Sequence, residues 1–171
     1  MRIFDAHTHL NQEDLFPNRK EHLEAFAGVG GHGLVNIWAN RQYNTNGLTV
    51  SNESKTSFPD LWIKASLGIH PCDVGNAIGN VEEEITLIKQ QIETNRDSVV
   101  AIWECWIDLH YPEGVSFLEL QKDFFRAQCE LAREFNLPIV IHSRDAFSET
   151  LEILREFIFI VGDIDQMKSK F

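Results

Sequence analysis

The chain has 171 residues, of which 43% are hydrophobic and 24% charged, and its formal net charge is −11 at pH 7. These values predict one soluble folded domain over residues 1–171, and they exclude a disordered chain and a broad basic face for nucleic acid. No apolar run reaches the roughly 18 residues of a membrane span, and the N-terminus lacks the pattern of a secretory signal.

The first predicted strand covers residues 2–8 and carries the earliest indication of chemistry. His7 and His9 are two residues apart, so both imidazoles point to the same face of an extended strand. Imidazole binds zinc, iron and related divalent metals, and the carboxylate of Asp5 lies beside the pair. The motif therefore favours a metal site over two histidines that are hydrogen-bonded within a core.

Short apolar bursts and helical patterns alternate along the rest of the chain. The further predicted strands lie at residues 34–39, 62–68, 98–105 and 138–142. Residues 81–92 have helical spacing after an acidic first turn, and residues 116–136 predict a longer helix that Asn136 ends. This order predicts an α/β fold with a parallel sheet. Five strands, or six if residues 157–161 form another, do not close an eight-stranded barrel.

Polar side chains stand at the strand ends, where a parallel barrel gathers its functional groups. His70 follows the third strand, and Pro71 fixes the turn after it. Glu104 is a lone carboxylate in the apolar fourth strand, so we expect a metal cation beside it, or else an arginine or lysine. His142 ends the fifth strand. Arg144 follows and either pairs with a nearby acid or binds a phosphate.

The cysteines are widely spaced and form no Cys-x-x-Cys pair; they are Cys72, Cys105 and Cys129. This pattern predicts reduced thiols in a cytoplasmic protein. Because the chain is acidic and has no basic run, a phosphate-bearing substrate would have to be held locally, through bound metal.

Four motifs, in this order along the chain, closely resemble the TatD family of metal-dependent hydrolases. They lie at residues 5–10 (DAHTHL), 68–71 (GIHP), 101–104 (AIWE) and 138–146 (PIVIHSRDA). The resemblance covers about residues 2–154. It implies a TIM-like (β/α)8 barrel with two divalent ions (Mg, Mn or Zn) that hydrolyses phosphodiesters, an activity usually described as that of a DNase. With five to six βα units, the barrel would be incomplete.

The resemblance also implies roles for the residues at the strand ends. His7 and His9 would bind one metal ion, Glu104 would bridge both ions, and His142 would bind the second. His70 would face the substrate phosphate, so Glu104 and His70 are the candidate catalytic residues. Arg144 joins His70 as a candidate substrate-binding residue. DNA or another phosphodiester would be held through the metal ions.

The chain departs from the family pattern in two ways. Neither a sixth-strand histidine nor an eighth-strand aspartate is recognisable, so we expect weak hydrolysis and self-association through open sheet edges. Trp38, Trp103 and Trp106 stand where family members carry glycine. Either these positions have diverged or the source organism reads UGA as glycine. Genuine tryptophans would overpack, with Trp106 directed at the metal site and Trp103 at the helix layer.

Two other functions stay open. One is a non-catalytic remnant or protein-interaction domain of the same fold, which the missing ligands would favour. The other is a different His-x-His amidohydrolase that acts on amide or ester bonds. The motif at residues 68–71 disfavours this second alternative, as does a glutamate where such enzymes carry a modified lysine.

Overall fold

A computed structural model describes residues 1–37, 40–75, 80–105, 107–141 and 143–158. The strands are β1 (Ile3–Thr8), β2 (Gly31–Asn36), β3 (Trp62–Leu67), β4 (Val99–Cys105) and β5 (Ile139–Ile141). The helices are α1 (Arg19–Gly28), α2 (Arg41–Ser57), α3 (Val81–Thr94), α4 (Pro112–Ser116), α5 (Leu118–Phe135) and α6 (Phe147–Ile158). Single 3-10 turns form at Phe16–Asn18 and Pro71–Asp73.

All five strands belong to one parallel sheet, in the sequence order β1-β2-β3-β4-β5. The rings of His7 in β1 and Trp103 in β4 lie 5.3 Å apart between centroids, although β2 and β3 separate these strands within the sheet. The sheet therefore curves until its first and fourth strands approach. The structure is half of a parallel barrel, which confirms the predicted α/β architecture with five strands.

The apolar core lies between this sheet and its helices. A larger cluster joins β3 and β4 to α3, α5 and α6, and includes the fully buried Ile102, Phe125 and Ile153. A smaller cluster packs α1 and α2 against β2 around Leu23 and Leu34. Each fully buried side chain of this kind contributes about 1.5–3 kcal/mol through removal from water. None of the described helices is long and apolar enough to cross a membrane.

The long helix predicted at residues 116–136 is α5, which begins at Leu118, shortly after the separate helix α4 ends at Ser116. Asn136 ends α5 in the left-handed conformation (φ 50°), as predicted for a residue before Pro138. The predicted sixth strand is wrong where the structure describes it, because Phe157 belongs to α6. Ile153 and Phe157 are one helical turn apart and pack on the same core, which explains the helix. Residues 159–161 lie outside the described residues.

The outer strands of the half-barrel present apolar side chains to solvent. Phe4 in β1 is 62% exposed, and Ile141 in β5 is 37% exposed. Both strands have a neighbour on one side only within the described sheet. Their free edges offer unpaired backbone groups beside exposed apolar surface.

Candidate functional site

The strand-end residues meet at the carboxyl edge of the sheet, because all strands run in the same direction. β1 supplies His7 and leads to His9, β3 leads to His70, and β4 supplies Glu104. The parallel order therefore places these four predicted site residues at one end of the half-barrel. The remaining predicted ligand, His142, lies outside the described residues.

The imidazole rings of His7 and His9 touch, with centroids 5.0 Å apart and planes nearly perpendicular. The Asp5 carboxylate accepts a hydrogen bond from the backbone N–H of His7 at 3.0 Å, which shapes the chain at the strand end. Burial lowers the pKa of His9, and the nearby His7 lowers it further, whereas a hydrogen bond to the Ile37 carbonyl opposes the shift. The neutral imidazole favoured in this way is the form that binds metal ions.

His70 and Glu104 form a buried pair beneath this edge. The backbone N–H of Cys72 donates to Nδ1 of His70 at 3.1 Å, so the proton of a neutral ring resides on Nε2. That Nε2 lies 3.4 Å from Oε2 of Glu104. Burial raises the pKa of Glu104 to about 7. A cation bound here would lower the cost of ionising this carboxylate.

Trp103 does not face the helix layer, and that prediction is wrong. Its half-buried ring lies against His7, on the side of the sheet where the imidazole pair stands. The pairing of β4 with β5 shifts register between Ile102 and Cys105, so strict alternation of faces does not hold there. The indole Nε1 is buried without a hydrogen-bond partner among the described residues. Trp103 thus occupies space beside a predicted metal ligand, whereas Trp38 and Trp106 lie outside the described residues.

The donor types at this edge suit a divalent metal, since two touching imidazoles and a buried carboxylate are available. Within the described part of the chain, however, no three His, Cys, Asp or Glu side chains are gathered closely enough to hold an ion. The assignment of His7, His9, Glu104 and His142 as ligands therefore stays a prediction.

Arg144 lies in a second polar cluster, formed by the segments that follow β4 and β5. A parallel bridge joins Asp108 to Arg144, whose carbonyl accepts from the Leu109 N–H at 3.1 Å. The Arg144 guanidinium lies over the Tyr111 ring, 5.2 Å from its centroid. Asp145 instead lies 2.8 Å from Nδ1 of His110. Among the described residues Arg144 has no acid partner, so its expected ion pair is absent there.

Cys72 stands at the border between the two clusters. Its Sγ lies 3.9 Å from Oδ2 of the buried Asp108. Desolvation, with the negative charge of Asp108, raises the pKa of the Cys72 thiol to about 11. Cys72 is therefore a neutral thiol and a weak nucleophile near pH 7.

Three buried amide side chains hold the loops of this edge, and we did not predict them. Asn44 of α2 exchanges two hydrogen bonds with the backbone of Gly68, at 3.0 and 3.3 Å. Gln128 of α5 does the same with Ile69, at 2.8 and 3.4 Å. Gln121 accepts from the Asp108 N–H at 2.8 Å. We call these three residues the amide clamps, since two of them hold the backbone just before His70 and the third holds Asp108, which is bridged to Arg144.

A signal for two of the clamps exists in the sequence. Gln121 and Gln128 are seven residues apart, so they share the face of α5 that is otherwise apolar. Polar residues that recur on a buried helical face need partners in the interior.

Gly68 shows how tightly the clamped segment is packed, because a Cβ there would lie 2.1 Å from the Trp103 carbonyl oxygen.

Five parallel strands with helices between them, a His-x-His pair on the first strand and a buried carboxylate on the fourth define one half of an α/β barrel. A family model described as "TatD related DNase" matches residues 4–160. The chain belongs to this family, and the resemblance carried by its four motifs is confirmed.

Curated relatives agree with this membership, and a solved structure agrees with the fold. Over 90% of its own length, the chain is 34% identical to YabD of Bacillus subtilis, an uncharacterised metal-dependent hydrolase. Over 91% of its own length, it is 27% identical to the 3'-5' ssDNA/RNA exonuclease TatD of Escherichia fergusonii. The TatD homologue YjjV of Escherichia coli superposes with a TM-score of 0.72 at 21% identity over 90% of the chain. The chain spans about 55% of the length of each of these proteins.

Proposed function

We propose that this chain binds divalent metal ions at the carboxyl edge of the sheet and hydrolyses phosphodiester bonds of single-stranded nucleic acid. The observation that carries the proposal is the contact between the His7 and His9 rings. The His7 ring also lies against Trp103, and Trp103 directly precedes Glu104 in the chain. Family membership supports hydrolysis, and the activity printed for the E. fergusonii relative supports the substrate class.

We assign the metal to His7, His9 and Glu104, with His142 as the ligand of a second ion. Two ions, of Mg, Mn or Zn, follow from the family resemblance. Bound divalent ions supply an activated water and neutralise charge on the phosphate. This positive charge matters in a protein of net charge −11, whose sequence has no basic run to attract phosphate.

The other residues of the edge would orient the substrate. His70 carries its proton on Nε2, beside Oε2 of Glu104, and would donate it to a phosphate oxygen in place of Glu104 when metal and substrate bind. Arg144 offers a guanidinium with no acid partner in the described structure, and its planar fork suits phosphate. Glu104 would give up its proton when a cation binds, because burial alone raises its pKa.

The position of Trp103 favours a second candidate, a non-catalytic interaction domain of the same fold. Its ring covers one side of His7, where a ligand to metal needs access. We therefore expect slow hydrolysis by the 171-residue chain.

The exposed Phe4 and Ile141 on the outer strands support self-association through the sheet edges. The free state of all three cysteines supports a cytoplasmic location.

The test is calorimetric titration of the chain with Zn²⁺ and Mn²⁺, combined with cleavage of a labelled single-stranded oligonucleotide. We expect metal binding that His7→Ala and Glu104→Gln each weaken at least tenfold, and slow cleavage that EDTA abolishes. His22→Ala is the matched control, because His22 is exposed on α1. Metal binding that is equal in all four proteins would overturn the site. Metal binding without any cleavage would favour the interaction domain.

A further inference from the structure

A pocket of about 260 Å³ adjoins the candidate site. It lies between the 3-10 turn Pro71–Asp73 and the segment after β4, and its walls include Pro71, Cys72, Asp108, Tyr111 and Gln121. Ligand pockets for drug-sized molecules typically measure about 300–1,000 Å³, so this one suits a single small ring system. Its walls combine an aromatic ring and a proline with one carboxylate.

The pocket and the candidate site share a wall. The Cys72 N–H that donates to Nδ1 of His70 belongs to the same turn that contributes Pro71 and Cys72 to the pocket. A molecule with its phosphate at the candidate site would therefore extend an adjacent planar group toward the pocket. This arrangement matches the layout of a nucleotide, in which a ring system lies one sugar away from the phosphate.

The polar end of the pocket is rigid and accepts hydrogen bonds. Asp108 is 3% exposed, its N–H is bound by Gln121, and its Oδ1 accepts from the His110 N–H at 2.8 Å. Its Oδ2 has a single weak contact among the described residues, with Cys72 Sγ at 3.9 Å. A carboxylate in this position accepts a hydrogen bond from an amino group, such as N4 of cytosine. It cannot pair with a carbonyl oxygen, such as O4 of thymine, because both groups accept.

Tyr111 and Arg144 supply the other two contacts that a nucleotide needs. The Tyr111 ring is 47% exposed and forms a wall of the pocket, and aromatic rings stack on bases. The Arg144 guanidinium lies over this ring, with Nη1 3.5 Å from the Tyr111 hydroxyl. Arg144 is therefore a cation held next to the stacking surface.

We propose that this pocket binds one nucleobase of the substrate strand, stacked on Tyr111 and hydrogen-bonded to Asp108, while Arg144 contacts the phosphate. The inference rests on the proposed function, because it names a base-recognition subsite of the same site. Cytosine is preferred to thymine, since only cytosine presents an amino group to the carboxylate.

The experiment titrates the metal-free chain, in EDTA, with 5'-dCMP, 5'-dTMP and deoxyribose 5-phosphate. Binding is followed by calorimetry. We expect dCMP to bind at least fivefold more tightly than dTMP, and deoxyribose 5-phosphate to bind most weakly. Tyr111→Ala should weaken dCMP binding by roughly five- to 100-fold and leave deoxyribose 5-phosphate unchanged. Tyr111→Phe should retain dCMP binding, since it keeps the ring.

Two further variants complete the test. Asp108→Asn should remove the preference for dCMP over dTMP, because an amide can both donate and accept. Trp62→Ala, an exposed aromatic residue at the start of β3, is the matched control and should change nothing. Equal affinity for the three probes, no binding of dCMP, or an unchanged dCMP affinity in Tyr111→Ala would each overturn the pocket. These titrations are made in EDTA and need no metal ion. The pocket can therefore be confirmed or overturned even if the proposed hydrolysis is not observed.

Discussion

Nε2 of His70 lies 3.4 Å from Oε2 of Glu104, and the two side chains are only 9% and 7% exposed. Buried amides hold the backbone beside each of them. Gln128 binds the backbone of Ile69, the residue before His70. Asn44 binds the backbone of Gly68, which lies close to the carbonyl of Trp103, the residue before Glu104. The pair thus belongs to the rigid part of the carboxyl edge.

The stability of the metal-free chain should fall as pH rises from 5 to 8, in part because of Glu104. Its pKa is about 7 in the folded protein against 4.5 in an unfolded chain, so the folded state keeps a proton that the unfolded state releases. The resulting stabilisation is complete below about pH 4.5 and is lost as pH rises through 7. Urea unfolding in EDTA at pH 5, 6, 7 and 8 measures the effect.

Glu104→Gln is the control for this pH dependence, because the amide has the shape of the carboxyl group but does not titrate. The variant should show a smaller loss of unfolding free energy between pH 5 and pH 8. Parallel pH profiles for the two proteins would show that Glu104 does not titrate near pH 7.

Removal of an amide clamp should destabilise the fold and loosen the segment before His70. In Gln128→Leu the N–H and the carbonyl of Ile69 lose their partners within the core. Each buried polar group left unsatisfied costs about 1–3 kcal/mol. We expect a loss of roughly 2–4 kcal/mol in unfolding free energy, measured by urea titration, with faster hydrogen exchange at Ile69.

Gln90→Leu is the matched control for the clamp, since Gln90 is exposed on α3. Its unfolding free energy should change by about 0.5 kcal/mol or less. A similar loss in both variants would assign the effect to the added leucine, and the clamp would then have no special role.

Trp103→Gly should strengthen metal binding. The substitution uncovers the side of His7 on which the indole ring lies, and it removes an Nε1 that is buried without a partner in the described structure. We expect the affinity for Zn²⁺ to rise severalfold, measured by competition with a chromophoric chelator. Trp62→Gly, in a strand of the same sheet but away from His7, should not raise it. An unchanged affinity in Trp103→Gly would mean that the ring does not obstruct the ligands.

The chain should self-associate through the outer strands of the half-barrel. Phe4 and Ile141 expose apolar surface beside unpaired backbone groups of β1 and β5. Phe4→Lys should shift the protein toward monomer in light scattering at about 50 μM, because lysine on an edge strand opposes pairing. Val29→Lys, which replaces a 70% exposed residue after α1, should not do so. A monomeric unmodified chain at this concentration would contradict the prediction.

Local patterns were sufficient for the five strands, for α3 and α5 and for the family, but not for α6, which was not predicted. The bursts that end at His7, His70 and Glu104 predict strands because side-chain burial in a parallel sheet needs consecutive apolar residues. α3 and α5 were visible because their buried faces recur at helical spacing. The motif of His7 and His9 needed only the two-residue period of a strand.

Helices with polar buried faces were not predictable in this way. The inner face of α2 is largely polar, because Asn44, Asn46, Ser51 and Ser54 are buried there beside Leu48 and Val50. α1 buries Leu23 alone. These helices are stable because the tertiary structure supplies hydrogen-bond partners, such as the Ser51 hydroxyl to the Ile63 carbonyl at 2.8 Å.

The sequence by itself determined which residues stand at the strand ends, because strand direction and period are local properties. Only the tertiary structure decided which of these side chains meet. The curvature of the sheet places Trp103 against His7, and the bridge of Asp108 to Arg144 places a cation over Tyr111. Both contacts join segments that are far apart in the chain. Their geometry depends on the packing of the whole half-barrel, which no single segment of the sequence encodes.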